Sequence, residues 1–125
     1  MDPEVIRCLH RAAEAMVGKK GFEVVGLDVG AMTSLTDAFL ICSGASERQV
    51  GTIADAVVDG LRELGRRPLH VEGERQAQWI LIDYGDFVVH VFTEERRSFY
   101  ALEKLWSDAG RIELPAVERE GGRPA

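Results

Sequence analysis

Two stretches of the chain carry apolar residues at the three-to-four-residue spacing of an amphipathic helix. The first follows Asp2 and Pro3, which suit a helix N-cap and the first helical position. Its apolar positions are Val5, Ile6, Leu9, Ala12, Ala13, Met16 and Val17. The second follows Ser46, which has capping-box spacing to Gln49, and its apolar positions are Val50, Ile53, Ala54, Val57, Val58, Leu61 and Leu64. The pattern predicts two helices, each with one buried face.

Runs rich in β-branched and aromatic residues fill much of the remaining chain and predict strands. They cover residues 22–29, 38–42, 68–71, 79–84 and 87–92. The last two flank Gly85 and Asp86, so they are predicted to form a hairpin. A helical pattern returns over residues 94–106, and its apolar side consists of Phe99, Leu102, Leu105 and Trp106.

The order of these elements predicts an α/β fold in a single domain, with a mixed five-stranded sheet and flanking helices. A chain of 125 residues is long enough for one such domain. We assign residues 1–106 to the domain. Residues 107–125 are predicted to form an irregular C-terminal tail, because prolines and glycines interrupt any regular pattern there.

The charge of the chain narrows the classes of partner. Fifteen basic and twenty-one acidic residues give a formal net charge of −6. Because nucleic-acid affinity comes mostly from neutralised phosphates, this charge disfavours direct RNA or DNA binding and favours a protein or a small ligand. No apolar run reaches the roughly 18 residues of a membrane span, and the acidic N-terminus predicts no signal peptide. We therefore expect a cytoplasmic protein without a membrane contact.

The cysteines and histidines do not have the spacing of a metal site. Cys8 and Cys42 are 34 residues apart, and His10, His70 and His90 are scattered along the chain. Tetrahedral metal sites need clustered ligands. We therefore predict no metal and no cofactor, and two free thiols in apolar surroundings.

Two groups of residues admit a catalytic interpretation. Gly44, Ala45 and Ser46 precede a predicted helix, whose N-terminus attracts anions. The chain lacks both glycine-rich phosphate motifs, so an ordinary helix cap is the alternative. Asp83 and Asp86 flank the hairpin turn and could act as acid and base or bind Mg²⁺. Their alternative role is to cap the turn through its backbone amides.

Three polar residues near the end of the domain are interpreted structurally. His90 lies among apolar residues and is predicted to be a core or sheet-face histidine rather than a catalytic one. Arg96 and Arg97 are predicted on a solvated helix face, where they can pair with neighbouring carboxylates or with those of a partner.

The predicted strand over residues 79–84 is apolar on both faces. Alternation places Trp79, Leu81 and Asp83 on one face. The other face carries Ile80, Ile82 and Tyr84. If helices cover only one side of the sheet, the Trp79 face is a contact surface. If helices cover both sides, Trp79 belongs to the core, and the pattern alone does not decide between these arrangements.

Five segments occur in a characteristic order. They are Asp37-Ala38-Phe39, SGASERQV at 43–50, Glu72-Gly73, WILIDYGDFVVHVF at 79–92 and RSFYALEKLW at 97–106. Together they resemble the ribosomal silencing factor family, RsfS, also called Iojap-like, over about residues 5–106. The family often has an aromatic residue at position 38 and a glycine at position 77. Ala38 and Ala77 depart from that pattern, which predicts thinner packing by the second strand and a restricted loop before the hairpin.

The resemblance implies a factor without enzymatic activity. Such proteins bind large-subunit ribosomal protein fourteen, in the universal naming, on the intersubunit face of the large subunit. They thereby block joining of the small subunit and repress translation when nutrients are short. The implied fold is a nucleotidyltransferase-like core that lacks the catalytic carboxylates, and self-association as a homodimer is also implied. On this basis we predict the partner-binding residues to be Trp79, Leu81, Asp83, Tyr84, Asp86 and Arg97.

Two alternatives to this function stay open. The glycine-serine turn and the two turn aspartates motivate a nucleotide-binding enzyme of nucleotidyltransferase type, although an Asp-x-Asp metal pair is missing from the sequence. A protein that acts through self-association alone is the third class. Nucleotide binding in the presence of Mg²⁺ would favour the enzyme, and absence from ribosomal fractions would favour the third class.

Overall fold

The computed structural model describes residues 1–100, 104 and 106–119. Its helices are α1 (Pro3–Gly18), α2 (Glu47–Glu63), α3 (Glu94–Tyr100) and α4 (Pro115–Arg119). Its strands are β1 (Phe22–Asp28), β2 (Ala38–Gly44), β3 (His70–Glu72), β4 (Trp79–Asp83), β5 (Phe87–Thr93) and β6 (Gly110–Ile112). The elements as far as α3 occur in the predicted order. The apolar side predicted for the last helix, Phe99, Leu102 and Leu105, lies outside the described side chains.

The strands form one mixed sheet in the order β3-β4-β5-β2-β1-β6. The two central strands, β2 and β5, run parallel, and each of the other neighbouring pairs is antiparallel. The predicted α/β class, the mixed sheet and the β4–β5 hairpin are confirmed. The sheet has six strands rather than the predicted five.

The sixth strand comes from the segment that was predicted to be an irregular tail. β6 pairs antiparallel with β1 through Gly26, Leu27 and Asp28. The following α4 brings Leu114 and Ala116 to the core, where they are 5% and 7% exposed. The prediction is therefore wrong over residues 110–119. Elements of three and five residues are too short to show a period in the sequence.

The two faces of the sheet are packed unequally. Helices α1 and α2 pack on one face. The main core lies between these helices and the sheet and includes Leu9, Met16, Leu40, Ile53, Leu61, Ile80, Ile82 and Phe87. A smaller cluster of Leu27, Val29, Ile41 and Phe92 lies on the opposite face. We call this opposite side the second face. It is the side that carries Trp79, Leu81 and Asp83 of the hairpin.

The N-terminus of α2 is capped by one half of the predicted capping box. Ser46 Oγ accepts a hydrogen bond from the backbone N–H of Gln49 at 3.1 Å. The side chain of Gln49 does not return to Ser46: it accepts from the N–H of Ala45 and donates to the carbonyls of Lys19 and Lys20. Gln49 therefore ties α2 to the turn between α1 and β1.

Removal of this cap should weaken the protein modestly. We expect Ser46→Ala to lower the free energy of unfolding by about 1 kcal/mol, because one backbone N–H of α2 loses its partner. Urea unfolding monitored by circular dichroism measures the change. Binding to a macromolecular partner should be unaffected, and lost binding at unchanged stability would instead make Ser46 a contact residue.

Candidate functional site

The residues that suggested a nucleotide-handling enzyme lie at opposite ends of the sheet. Gly44, which precedes Ser46, pairs with Thr93 at the end of β5. Asp83 and Asp86 flank the turn at the beginning of β5. A strand of this length spans roughly 20 Å. The glycine-serine turn and the aspartates therefore cannot act on one substrate.

Asp83 and Asp86 both have structural partners in the turn. Asp83 Oδ1 accepts a hydrogen bond from the N–H of Gly85 at 2.7 Å, which confirms the predicted turn capping for this residue. Asp86 instead forms an ion pair with Arg66 at 2.7 Å, and Arg66 also donates to the carbonyl of Tyr84 at 3.1 Å. The two aspartates thus fix the hairpin and its attachment to the segment after α2.

The surroundings of Ser46 are poorly suited to a phosphate. An open cavity of about 320 Å³ lies beside it and is lined by the acidic residues Glu47, Glu94 and Glu95 and by Arg96. Arg96 Nε donates to the side-chain carbonyl of Gln78 at 2.9 Å. The excess of carboxylates repels an anion, and the cap already occupies an amide that would bind one.

The second face carries the hairpin residues whose role the sequence left open. Trp79 is half-buried, stacks on Phe92 with ring centroids 5.0 Å apart and lies opposite it in the β4–β5 register. Trp79 Nε1 donates to His90 Nδ1 at 3.1 Å. Trp79 is therefore neither a free surface residue nor a fully enclosed core residue.

His90 is the buried residue that accepts the hydrogen bond of Trp79. It is 5% exposed, and Phe39 meets its ring edge-on at 5.2 Å. Because Nδ1 accepts from Trp79, the ring proton of the neutral form resides on Nε2. Burial lowers the pKa of His90 from 6.5 to about 4, so the ring is neutral near pH 7. The prediction of a core or sheet-face histidine agrees with this placement.

The rest of the second face contains half-buried apolar side chains. Leu81 lies opposite His90, and Asp83 lies opposite Val88. Phe39, the parallel partner of Val88, is also half-buried and meets Trp106 edge-on at 5.2 Å. The partner-binding residues predicted from the sequence did not include Phe39 and Val88, which also lie on this face. The available signal was alternation, since β5 places residues 88, 90 and 92 on one side.

Two residues predicted for the partner surface are buried. Tyr84 is 3% exposed, stacks on Phe87 at 4.8 Å in the main core, and burial raises its pKa to about 12. Arg97 is 7% exposed and donates to Ser43 Oγ at 2.9 Å and to the carbonyl of Glu23. The prediction of a solvated position for Arg97 is wrong, because these interior acceptors hold its guanidinium against the sheet.

The burial of His90 predicts a pH dependence of stability. An unfolded histidine titrates near 6.5, so between pH 6.5 and 4 the unfolded chain binds a proton that the folded chain excludes. The free energy of unfolding should therefore fall as the pH is lowered through this window, by roughly 3 kcal/mol. Urea unfolding at several pH values measures the slope. His90→Gln should flatten it, and an unchanged slope in that variant would contradict the assignment.

A metal site is not found among the residues that the structure describes. Among the described residues, no three His, Cys, Asp or Glu side chains converge. Cys8 and Cys42 are buried free thiols, and burial raises the pKa of Cys42 to about 12. Within the same residues no helix is long and apolar enough to cross a membrane.

Comparison with known proteins finds a family over nearly the whole chain. The family model "Ribosomal silencing factor during starvation", RsfS, matches residues 2–125, which includes the segment after residue 106. The ribosomal silencing factor RsfS of Halalkalibacterium halodurans is 45% identical over 109 residues, covering 87% of this chain and 93% of that protein. A Mus musculus protein named "Mitochondrial assembly of ribosomal large subunit protein 1" is 35% identical over 75 residues, covering 58% of this chain and 33% of that protein. A crystal structure from Chromobacterium violaceum superposes with a TM-score of 0.79 at 33% identity, covering 91% of this chain and 92% of that one.

Proposed function

Because this chain belongs to the ribosomal silencing factor family, RsfS, we propose that it binds the large ribosomal subunit and keeps the small subunit from joining. The proposed contact on the large subunit is ribosomal protein fourteen in the universal naming. The consequence is repression of translation when nutrients are limiting. The family is regulatory, and the proposed action is steric rather than catalytic.

The observation that carries the proposal is the half-buried apolar surface of the hairpin. We define the docking face as Trp79, Leu81, Asp83 and Val88 on the second face. These side chains remain partly open to solvent while α2 packs on the other side of β4 and β5. Aromatic side chains such as that of Trp79 are enriched at the centres of protein interfaces and often contribute most of the binding energy. Tyr84 and Arg97 are left out because they are buried, and Asp86 is held by Arg66.

Rigidity of the docking face also supports a binding role. The stacking on Phe92 and the hydrogen bond to His90 restrict the indole ring of Trp79 before any partner arrives. A side chain that is already ordered loses little conformational entropy on association.

The net charge of −6 further favours a basic protein over exposed ribosomal RNA as the direct contact.

The names of similar proteins support the large subunit as the partner and nutrient limitation as the condition. The mouse relative is named for assembly of the ribosomal large subunit. The description of the matching family names a ribosomal silencing factor during starvation. These names support the proposed partner and condition without identifying the contacting ribosomal protein.

Sucrose-gradient sedimentation with purified subunits tests the proposal. The protein should sediment with large subunits and not with small ones, and added protein should reduce the fraction of joined ribosomes. Bovine serum albumin at the same concentration controls for nonspecific effects. Sedimentation with small subunits, or binding to large subunits without any effect on joining, would contradict the proposed function.

A further inference from the structure

A groove runs along the side of the molecule that faces away from the docking face. It lies between α2 and the edge of the sheet at β3, and its volume is about 550 Å³. The groove exists because β3 is an edge strand of three residues that α2 does not fully cover. Its volume falls in the range of pockets that hold drug-sized ligands or a few side chains.

The floor of the groove is apolar. Ile80 and Ile82 of β4 form its base and are 2% and 0% exposed. Val71 of β3 and Val58 of α2 line it and are only half-buried. Val71 is the register partner of Ile82, so the two side chains lie on the same side of the sheet. A partner would therefore find two open aliphatic side chains above a closed base.

The rim of the groove is acidic. Asp55 and Asp59 line the α2 wall, and Glu74 lines the opposite wall. Arg62 neutralises Asp59, with 3.0 Å between Nη1 and Oδ1. Within the described part of the chain, Asp55 and Glu74 have no ion-pair partner. Two exposed carboxylates thus face the apolar floor from opposite walls, which complements a segment that combines cationic and aliphatic side chains.

We propose that this groove binds a basic peptide segment of a protein partner, with an aliphatic side chain against Val58 and Val71 and lysine or arginine near Asp55 and Glu74. Nucleic acid is excluded as the occupant because its phosphates would meet these carboxylates. The site is independent of the docking face, since alternate residues of β4 point to opposite sides of the sheet. A chain docked through Leu81 still presents the groove to a second protein.

Fluorescence anisotropy with labelled model peptides tests the site. The probe is a short peptide of leucine and lysine, and the comparison peptides replace either every lysine by glutamate or every leucine by serine. We expect only the leucine-lysine peptide to bind at low salt. Asp55→Lys combined with Glu74→Lys should weaken its binding at least about ten-fold, because both flanking attractions become repulsions.

A matched variant separates the groove from the overall charge. Glu113→Lys combined with Glu118→Lys changes the net charge equally at exposed positions elsewhere, and it should alter the affinity less than about two-fold. Equal losses of peptide affinity in the two charge variants would overturn the proposal. A change in the oligomeric mass of the Asp55→Lys, Glu74→Lys variant, measured by light scattering, would also overturn it, because the occupant of the groove would then be a second copy of this chain. Val71→Ser keeps every charge and should also weaken binding of the leucine-lysine peptide. It provides the test if the charge reversals at Asp55 and Glu74 disturb the fold of α2. Sedimentation with large subunits should be unchanged in all these variants.

Discussion

Replacement of Leu81 by aspartate should reduce affinity for the large ribosomal subunit at least about thirty-fold. The substitution removes an apolar contact and places an unpaired carboxylate in the interface, which should cost about 2 kcal/mol or more, and this loss corresponds to that factor. Leu81 is half-buried on the docking face and has no role in the main core, so the variant should remain folded. Sedimentation binding and a thermal melt on the same preparation measure both quantities.

Leu69→Asp is the matched control. Leu69 is 74% exposed and lies near Gly85, outside the docking face, so its replacement should change neither binding nor the melt. Undiminished binding of a folded Leu81→Asp variant would contradict the docking face. Trp79→Ala is a weaker test, because the loss of its contacts with His90 and Phe92 should reduce stability and binding together.

Replacement of Gly73 by alanine should destabilise the protein by at least about 3 kcal/mol. Gly73 has a φ of +86°, and a Cβ there would lie 1.9 Å from the carbonyl oxygen of Trp79. The backbone of the loop or of β4 must move to accept it. Chemical denaturation measures the loss, and a variant as stable as the original chain would contradict the close approach of these two segments.

Replacement of Ala77, at the other end of the same loop, by glycine should not destabilise the protein. Ala77 has a φ of +55°, a conformation that costs a residue with a Cβ about 1 kcal/mol. Ala77→Gly removes that strain but adds freedom to the unfolded chain, so stability should stay the same or rise slightly. A clear loss of stability would show that the methyl group of Ala77 contributes more by packing than its backbone conformation costs.

Alternation along β4 was the most informative pattern in the sequence. A period of two correctly predicted that Trp79 and Leu81 lie on one face of β4 and that Ile80 and Ile82 lie on the other face. It left open how far the second face is covered, since that depends on where later segments pack. The departure at Ala77 was likewise visible in the sequence, and the positive φ at this position is a conformation that favours the expected glycine over alanine.

The positions of individual polar side chains were not predictable from local pattern. Arg97 follows two glutamates and reads as a solvated helix residue, yet its partners Glu23 and Ser43 are more than fifty positions away along the chain. Tyr84 continues the alternation of β4 into the main core, where no partner surface can reach it. Short elements such as β6 exist only because β1 offers an edge to pair with.

Site-specific photo-cross-linking tests the central claim most directly. A benzophenone amino acid is placed at position 81, on the docking face, and in a second variant at position 71, on the opposite side of the sheet. After irradiation with purified large subunits, position 81 should form a cross-link to ribosomal protein fourteen, and position 71 should not. A cross-link to that protein from position 71 alone, or a cross-link from position 81 only to other components of the subunit, would contradict the proposed docking face.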